Sequence, residues 1–187
     1  MLDEKELVRR AKVGDASALS ALYELYFDRV YRFVMMRVGN HHDAEDLTEE
    51  VFIRVLQSIS RYDETGAPLS AWIFRIARNQ VIDLYRRRGR RDDSPLDEAF
   101  NVQSPGGNPY DQVELLSDIA GLTRAMAALT VAQRDVITMR FGAGLSVAET
   151  AEALKKKEGT IKALQHNAIA SLRRFLGKEE ALEYRHD

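Results

Sequence analysis

The chain contains no cysteine, only four histidines and no long apolar run. Without cysteine, no disulfide framework, thiolate metal site or cysteine nucleophile can form. The histidines show no spacing typical of metal ligands, so we expect neither a metal site nor a cofactor. The apolar runs are far shorter than a membrane span and the N-terminus is charged, which predicts a soluble cytoplasmic protein without membrane insertion.

Signs of catalysis are equally scarce in this sequence. It shows no pairing of a nucleophile with a base and no phosphate-binding loop, so an enzyme is the weakest of the classes considered. The 187 residues, 45% of them hydrophobic, leave room for one large or two small domains, each with its own core.

What the sequence does contain is a local concentration of arginine. From Trp72 to Arg91 there are seven arginines and one aspartate, a local net charge of +6 in a chain whose total is −2. Such a basic cluster predicts a surface that binds a polyanion. For the arginines alone, a solvated helix end that complements the helix dipole is an equally good interpretation.

The helix predicted from Leu69 onward has differently composed sides. A stripe with helical spacing faces a core and consists of Ile73, Ile76, Ala77, Val81 and Leu84. The opposite side carries Arg75, Arg78, Ile82 and Arg86, and the flank between them carries Trp72, Asn79 and Asp83. Arginine, asparagine and an aromatic ring together favour phosphate contacts, hydrogen bonds to base edges and stacking on unpaired bases. A single tryptophan is, however, more often a core residue.

Three further helices are predicted before this one. The first covers residues 4 to 13 and stops at Gly14, and Asp15 caps a second that runs to about Val38. His41 and His42 fall in a loop, and the third helix runs from Asp43 to about Ser60. Its first eight residues include five acids, more than a helix N-terminus requires. A docking surface for a basic partner and a merely solvated side are both compatible with this pattern.

Two segments are predicted to be irregular. Residues 61 to 69 form a turn-rich loop before the arginine-rich helix, where the loop could close a pocket over an extruded base. Residues 92 to 111 contain three prolines, two adjacent glycines and five acids without any lysine or arginine, which predicts a linker.

Helical periodicity returns at about Gln112 and continues to about Phe175. Capping-box sequences at Thr130 and Ser146 predict two helix starts, with a turn at residues 142 to 144 between them. The helix from Ser146 ends near Leu154, and another begins near Gly159. This arrangement predicts a helix-turn-helix motif whose second helix reads DNA, although a generic helical bundle remains the alternative.

The predicted recognition helix has an inner and an outer side. Its inner side consists of Ile161, Leu164, Ala168, Ile169 and Leu172. Its outer side consists of Gly159, Lys162, Ala163, His166 and Asn167. Residues 155 to 178 carry seven positive charges and one negative charge, which favours contact with a phosphate backbone.

These motifs, in this order, closely resemble those of the extracytoplasmic-function sigma factors of bacterial RNA polymerase. The segments that carry the resemblance are 43–56, 69–83, the acidic linker, 129–141 and 145–151. The resemblance implies an all-α fold: a sigma region 2 domain at 1–91, a linker at 92–111, a sigma region 4 domain at 112–178 and a tail at 179–187. It implies an alternative sigma factor that binds core polymerase, recognises the −35 and −10 promoter elements and promotes strand opening.

The resemblance also implies roles for particular residues. Asp43, Asp46, Glu49 and Phe52 would dock on the coiled coil of the polymerase β′ subunit. The 61–69 loop would capture the unpaired strand of the −10 element together with Trp72, Arg75, Arg78, Asn79 and Arg86. The −35 duplex would be contacted by Lys157, Thr160, Lys162, Ala163, His166 and Asn167. Further partners would be the β flap of polymerase and an anti-sigma factor.

The sequence departs from the family pattern in the turn of the helix-turn-helix motif. Lys155 stands where a turn glycine is usual, and Lys157 where a capping serine is common. Because a non-glycine residue rarely adopts positive φ, the geometry of the turn, and with it the direction of His166 and Asn167, is left open. A DNA-binding regulator that acts without polymerase would share this motif but would not need Trp72 or Asn79.

Overall fold

The computed structural model describes residues 3–89, 121 and 124–183, and all regular structure in those ranges is helical, as predicted. The N-terminal half contains α1 (Glu4–Lys12), α2 (Ala16–Val38), α3 (His41–Ser58) with a 3₁₀ turn at Ile59–Arg61, and α4 (Leu69–Arg87). The C-terminal half contains a helical segment at 124–127, α5 (Val131–Ile137) with a π-helical turn at Thr138–Gly142, α6 (Val147–Leu154) and α7 (Glu158–Glu183). The predicted linker at 92–111 and the helix start near Gln112 lie outside the described residues.

The first two helices follow their predicted bounds because their ends are encoded locally. Gly14 follows α1 with φ 85°, and the Asp15 carboxylate accepts hydrogen bonds from the backbone N–H groups of Ser17 and Ala18 at the start of α2. Gly39, with φ 76°, ends α2 in the left-handed conformation that glycine adopts without strain.

The start of α3 was predicted two residues too late. The helix begins at His41, and Asn40 is its N-cap, since the Asn40 side-chain oxygen accepts from the backbone N–H of Asp43. Asparagine is one of the favoured N-cap residues, because its side-chain oxygen can accept from a free backbone N–H of the first turn. His41 and His42 therefore belong to the first turn of α3, and their assignment to a loop was wrong.

The apolar stripe predicted for α4 faces the core of the N-terminal bundle. Ile73, Ala77 and Val81 are fully buried, while the flanking Ile76 and Leu84 are half-buried. Sequence reasoning missed Phe74, which is also fully buried and packs edge-on against Phe33, with ring centroids 5.6 Å apart. The buried side of α4 is therefore wider than the stripe.

The helix-turn-helix motif forms despite its unusual turn. Both predicted capping boxes are present, at Thr130 and at Ser146. Lys155 adopts the left-handed conformation, with φ 52° and ψ 48°, that the family's usual glycine would adopt more easily. This conformation costs an ordinary residue about 1–2 kcal/mol, so the motif retains its geometry at some expense in stability.

Helix α7 is longer than predicted. It continues to Glu183 rather than ending near Phe175, so the predicted tail at 179–187 begins as helix. None of the helices in the described part of the chain combines the length and apolar character needed to cross a membrane.

The two halves of the chain contact each other. The π-helical turn packs on α2, and α6 packs on α4. Met139 and Leu145 from the C-terminal half belong to the same buried cluster as the N-terminal bundle. A Cβ on Gly142 would lie 2.7 Å from the Met36 sulfur, so a side chain at this position would force the Met36 side chain to move.

Candidate nucleic-acid interfaces

The predicted −10 residues are distributed over two sides of α4. Asn79 and Arg86 lie exposed on one side, which we call the open side. Arg75 and Arg78 reach the C-terminal half, and we call the part of α4 that they occupy the covered side, although Arg78 is still 29% exposed and lines a shallow depression together with Asn79 and Arg86. The structure thus engages two of these arginines with the C-terminal half and leaves Asn79 and Arg86 exposed.

Trp72 lies at the base of the predicted loop. Its ring packs against Tyr62, with centroids 5.1 Å apart, and the indole is half-buried against the core. The Tyr62 hydroxyl donates a 2.8 Å hydrogen bond to the carbonyl oxygen of Ala67, which ties the two ends of the 61–69 loop together. In this geometry Trp72 supports the loop and exposes only part of its ring.

On the covered side, both arginines bind atoms of the C-terminal half. The Arg75 guanidinium donates to the backbone carbonyl of Glu152 at 2.8 Å. The Arg78 Nε donates to the Asp135 carboxylate at 2.6 Å. In this arrangement each guanidinium uses at least one N–H group within the protein, and the Arg78 side chain remains 29% exposed.

Asp135 is the centre of a buried ion-pair network that sequence reasoning missed. Its carboxylate contacts both Arg78 and Arg37, and the side-chain exposures are 0% for Arg37, 3% for Asp135 and 29% for Arg78. The Tyr85 hydroxyl donates to the Arg37 carbonyl oxygen, which links the same region to the end of α4. Removing one member of a buried ion pair is strongly destabilising, because the remaining charge loses its compensation.

The sequence weakly indicated that Arg37 is buried in an ion pair, but nothing in it indicated that Asp135 is the partner. Arg37 follows Phe33 and Val34 on the apolar side of α2, where a charge needs a buried partner. Asp135 is 98 positions away from Arg37, and no local pattern connects the two.

The predicted polymerase-docking residues occupy three different environments. Asp46 and Glu49 are exposed on α3, and Asp46 forms an exposed 3.1 Å pair with His42. Asp43 is only 17% exposed, because Arg88 donates two hydrogen bonds to it, at 2.7 and 2.5 Å. These bonds from Arg88 lower the pKa of Asp43 below its usual value, although partial burial opposes the shift.

Phe52, the fourth of these residues, is a core residue that reaches a surface groove. It is 7% exposed and packs on Tyr23, with ring centroids 4.6 Å apart. The groove beside it is apolar, has a volume of about 380 Å³ and includes the exposed side chain of Leu56. An apolar surface therefore lies next to the acidic one, which the sequence pattern had not indicated.

The residues predicted to contact the −35 element lie together. Along α7, Ile161 and Ala168 are buried, and four positions on the outer side are exposed: Lys162, Ala163, His166 and Asn167. Lys157 and Thr160 are exposed at the start of the same helix. The outer side of α7 thus offers cations, an amide and an imidazole to a DNA groove.

Comparisons with known proteins identify both halves of the chain. The sigma-70 region 2 family matches residues 22–91, and the sigma-70 region 4 family matches residues 125–174. The ECF RNA polymerase sigma factor BldN of Streptomyces coelicolor is 42% identical over 172 residues, covering 91% of this chain and 65% of that protein. ShbA of Streptomyces griseus is 33% identical, covering 89% of this chain and 92% of that protein. SigW of Bacillus subtilis is 30% identical, with coverages of 92% and 96%.

Two solved structures share the fold. CnrH in complex with the cytosolic domain of CnrY has a TM-score of 0.70 at 21% identity and covers 94% of this chain and 97% of that one. The sigma factor RpoE in complex with the anti-sigma factor NepR from Bartonella quintana has a TM-score of 0.64 at 24% identity, with coverages of 84% and 96%.

The chain belongs to the family of ECF RNA polymerase sigma factors and is an alternative sigma factor, which serves promoter recognition by RNA polymerase. This membership decides between the two classes that the sequence alone left open, in favour of the sigma factor over a regulator that acts without polymerase.

Proposed function

We propose that this sigma factor divides its work between two domains with the boundaries expected from the sequence. Residues 1–91 dock on core polymerase and bind the −10 element, and residues 112–178 read the −35 element. Residues 92–111 connect the two, and residues 179–187 follow the second domain as a tail. The family assignments to residues 22–91 and 125–174 support this division.

The observation that carries the −10 proposal is the exposure of Asn79 on the open side of α4. A protein without ATP chemistry can open DNA only by binding the unpaired strand better than the duplex. An amide can hydrogen-bond base edges that a closed duplex hides, and an aromatic ring can stack on an unpaired base for about 1–3 kcal/mol. Asn79 and the exposed part of Trp72 supply these two groups, and Arg86 supplies a phosphate contact.

For the −35 element, the outer side of α7 enters the major groove. Asn167 can bond adenine in a bidentate manner, which discriminates among bases by about 1–3 kcal/mol. Lys157 and Lys162 hold phosphates and strengthen binding to all sequences alike.

Docking on the β′ coiled coil combines charge with apolar contact. Asp46 and Glu49 steer the basic partner, and an apolar side chain of polymerase enters the groove beside Phe52. Asp43 acts indirectly in this proposal, because its carboxylate already binds Arg88. The β flap of polymerase contacts the C-terminal domain.

The proposal has three further parts. The protein is regulated by an anti-sigma factor, it acts in the cytoplasm, and it has no catalytic activity of its own. CnrH was solved with the cytosolic domain of CnrY, and RpoE with the anti-sigma factor NepR; at 21% and 24% identity these two structures support only the fold of this chain.

The test uses Asn79→Ala in complete holoenzyme. We expect the variant to bind promoter DNA nearly as well as wild type but to open it about tenfold less, because the amide contributes only to the unpaired strand. Permanganate reactivity of promoter thymines measures the opening, and a promoter that is already unpaired at the −10 element should restore the part of the defect due to melting. Lys5→Ala, an exposed substitution on α1, serves as the control.

If folded Asn79→Ala holoenzyme opened and transcribed the promoter as well as wild type, Asn79 would have only a structural role. If the wild-type chain bound upstream DNA but supported no transcription by core polymerase, the assignment of the two domains to promoter recognition would be wrong.

A further inference from the structure

Helix α1 lies outside the part of the chain that matches the sigma-70 region 2 family, which begins at residue 22. Its apolar side nevertheless belongs to the N-terminal core, since Leu7, Val8 and Ala11 are buried in the same cluster as residues of α2, α3 and α4. Besides α2, α1 contacts the 3₁₀ turn at Ile59–Arg61, which leads into the 61–69 loop. The packing of α1 therefore brings its last turn next to this loop.

Lys12, the last residue of α1, binds the loop at two points. Its Nζ donates a 2.9 Å hydrogen bond to the backbone carbonyl oxygen of Tyr62 and lies 3.3 Å from the carboxylate of Glu64. Both side chains of this ion pair are partly exposed, so the pair alone is weak. The bond to the Tyr62 carbonyl, by contrast, holds the main chain of the loop and restricts where the loop can lie.

The rest of the loop is organised around the residue that Lys12 holds. Tyr62 is buried, packs on Trp72 and donates through its hydroxyl to the carbonyl oxygen of Ala67 at 2.8 Å. The tip at 63–66, between these tethered residues, is exposed. Lys12 thus fixes the end of the loop to which the other end is tied, and it leaves the tip free for a ligand.

Lys12 also offsets negative charge at the tip, where the two acids Asp63 and Glu64 are exposed. Hydrogen bonds from Thr65 lower the pKa of Asp63, and the nearby charge of Lys12 adds to this shift. Acids at the tip repel a phosphate backbone, and a cation held beside them reduces that repulsion. The contacts of Lys12 therefore favour both the order of the loop and the approach of a nucleic acid.

We propose that Lys12 is a positioning residue for the −10 site, which holds the 61–69 loop in the conformation that receives the unpaired strand. The inference rests on the proposed function, because it assumes that the N-terminal domain binds the −10 element. Lys12 acts through the Tyr62 carbonyl and needs no contact with DNA. A loop that is ordered before the strand arrives loses less conformational entropy on binding, so Lys12 contributes to retention of the opened strand.

The experiment uses holoenzyme and a promoter that is already unpaired at the −10 element. Lys12→Met removes the ammonium group and keeps an unbranched apolar stem, and we expect about fivefold faster dissociation from this DNA, because a hydrogen bond that held the loop is lost. Lys12→Arg restores a donor and the charge and should recover most of the retention. Lys5→Met makes the same change at an exposed lysine of the same helix and serves as the matched control.

A second measurement locates the effect in the loop. The backbone N–H groups of Thr65 and Gly66 both bond to Asp63, and in the full chain we expect them to exchange with solvent faster in Lys12→Met than in Lys5→Met. Exchange within α2 should be the same in both variants. Thermal unfolding of all variants is measured alongside, because a purely structural role of Lys12 would lower stability without a local change in the loop.

The outcomes separate this inference from the function it extends. If folded Lys12→Met dissociated like Lys5→Met, the role of Lys12 would be overturned, while a defect in Asn79→Ala would still support the −10 site on α4. A defect that disappeared at high salt, with exchange in the loop unchanged, would mean that Lys12 binds a phosphate directly and would also overturn the positioning role. Failure of wild-type holoenzyme to retain the unpaired promoter would contradict the proposed function and this inference with it.

Discussion

The covered and open sides of α4 carry similar residues but have different environments. On the covered side, Arg78 shares the Asp135 carboxylate with the fully buried Arg37. On the open side, Arg86 forms a 3.4 Å pair with Asp83, and both side chains remain mostly exposed. The same pairing of arginine with aspartate is thus a buried structural contact in one place and a weak surface contact in the other. The role of such an arginine–aspartate pair depends on whether another element of the fold covers it.

The largest expected difference between the two sides is in stability. Asp135→Ala should lower the free energy of unfolding by about 3–5 kcal/mol, because it removes the carboxylate from a buried ion-pair network. Asp83→Ala is the matched control and should cost less than about 1 kcal/mol, since solvent screens its exposed pair. Urea unfolding of both variants measures the difference. Equal losses would mean that the C-terminal half does not cover α4 in solution.

A third arginine–aspartate pair, at the end of α4, is intermediate in burial between these two pairs. Arg88 binds Asp43, which is neither buried like Asp135 nor exposed like Asp83. Since the folded-state pKa of Asp43 is lowered, its contribution to stability is fully present above the unfolded-state pKa of about 3.9. The contribution is then lost as the pH falls through the folded-state pKa.

We therefore expect Asp43→Asn to lower the free energy of unfolding by about 1 kcal/mol at pH 7, after allowance for solvent screening. The difference from wild type should shrink as the pH falls below 3.9. Unfolding curves across this range measure it, and Asp46→Asn, whose carboxylate is exposed, provides the control. A deficit that stayed constant with pH would show that the Arg88 contact is not its cause.

The smallest expected effect concerns the helix-turn-helix turn beside the covered side. The carbonyl oxygen of Glu152 accepts from Arg75 and also from the backbone N–H of Lys155, which has positive φ. Lys155→Gly should raise the free energy of unfolding by about 0.5–1 kcal/mol, because relief of the strained φ outweighs the added chain entropy.

The neighbouring Lys156→Gly removes the same charge without relieving a positive φ and serves as the control for thermal unfolding. If both variants were equally less stable than wild type, the left-handed conformation at Lys155 would not occur in solution.

Sequence reasoning was most successful where the causes were local. Asp15, Thr130 and Ser146 each cap a helix by bonding a backbone N–H within three positions, so the sequence pattern contained all that was needed. The inner and outer sides of α7 were likewise predicted, because helical spacing alone separates Ile161 from Lys162.

It was least successful where the cause was distant. Spacing placed Arg75 and Arg78 on a cationic side of α4, but it could not show that Glu152 and Asp135 would cover them. The half-burial of Trp72 on Tyr62 and the partial burial of Asp43 against Arg88 have the same origin. In each case a helix packed against a residue that no periodicity connects to it.

The sequence by itself thus determined the helical fold, most helix ends, the outer side of the recognition helix and, through the order of its motifs, the family. Only the tertiary structure decided which of the arginines on α4 are exposed, which of the acids on α3 are exposed and where a groove opens between α3 and α4. The physical reason is that caps and helix sides depend on neighbours within one or two turns. The burial of a charge depends instead on contacts such as that between Arg37 and Asp135, which lie 98 positions apart.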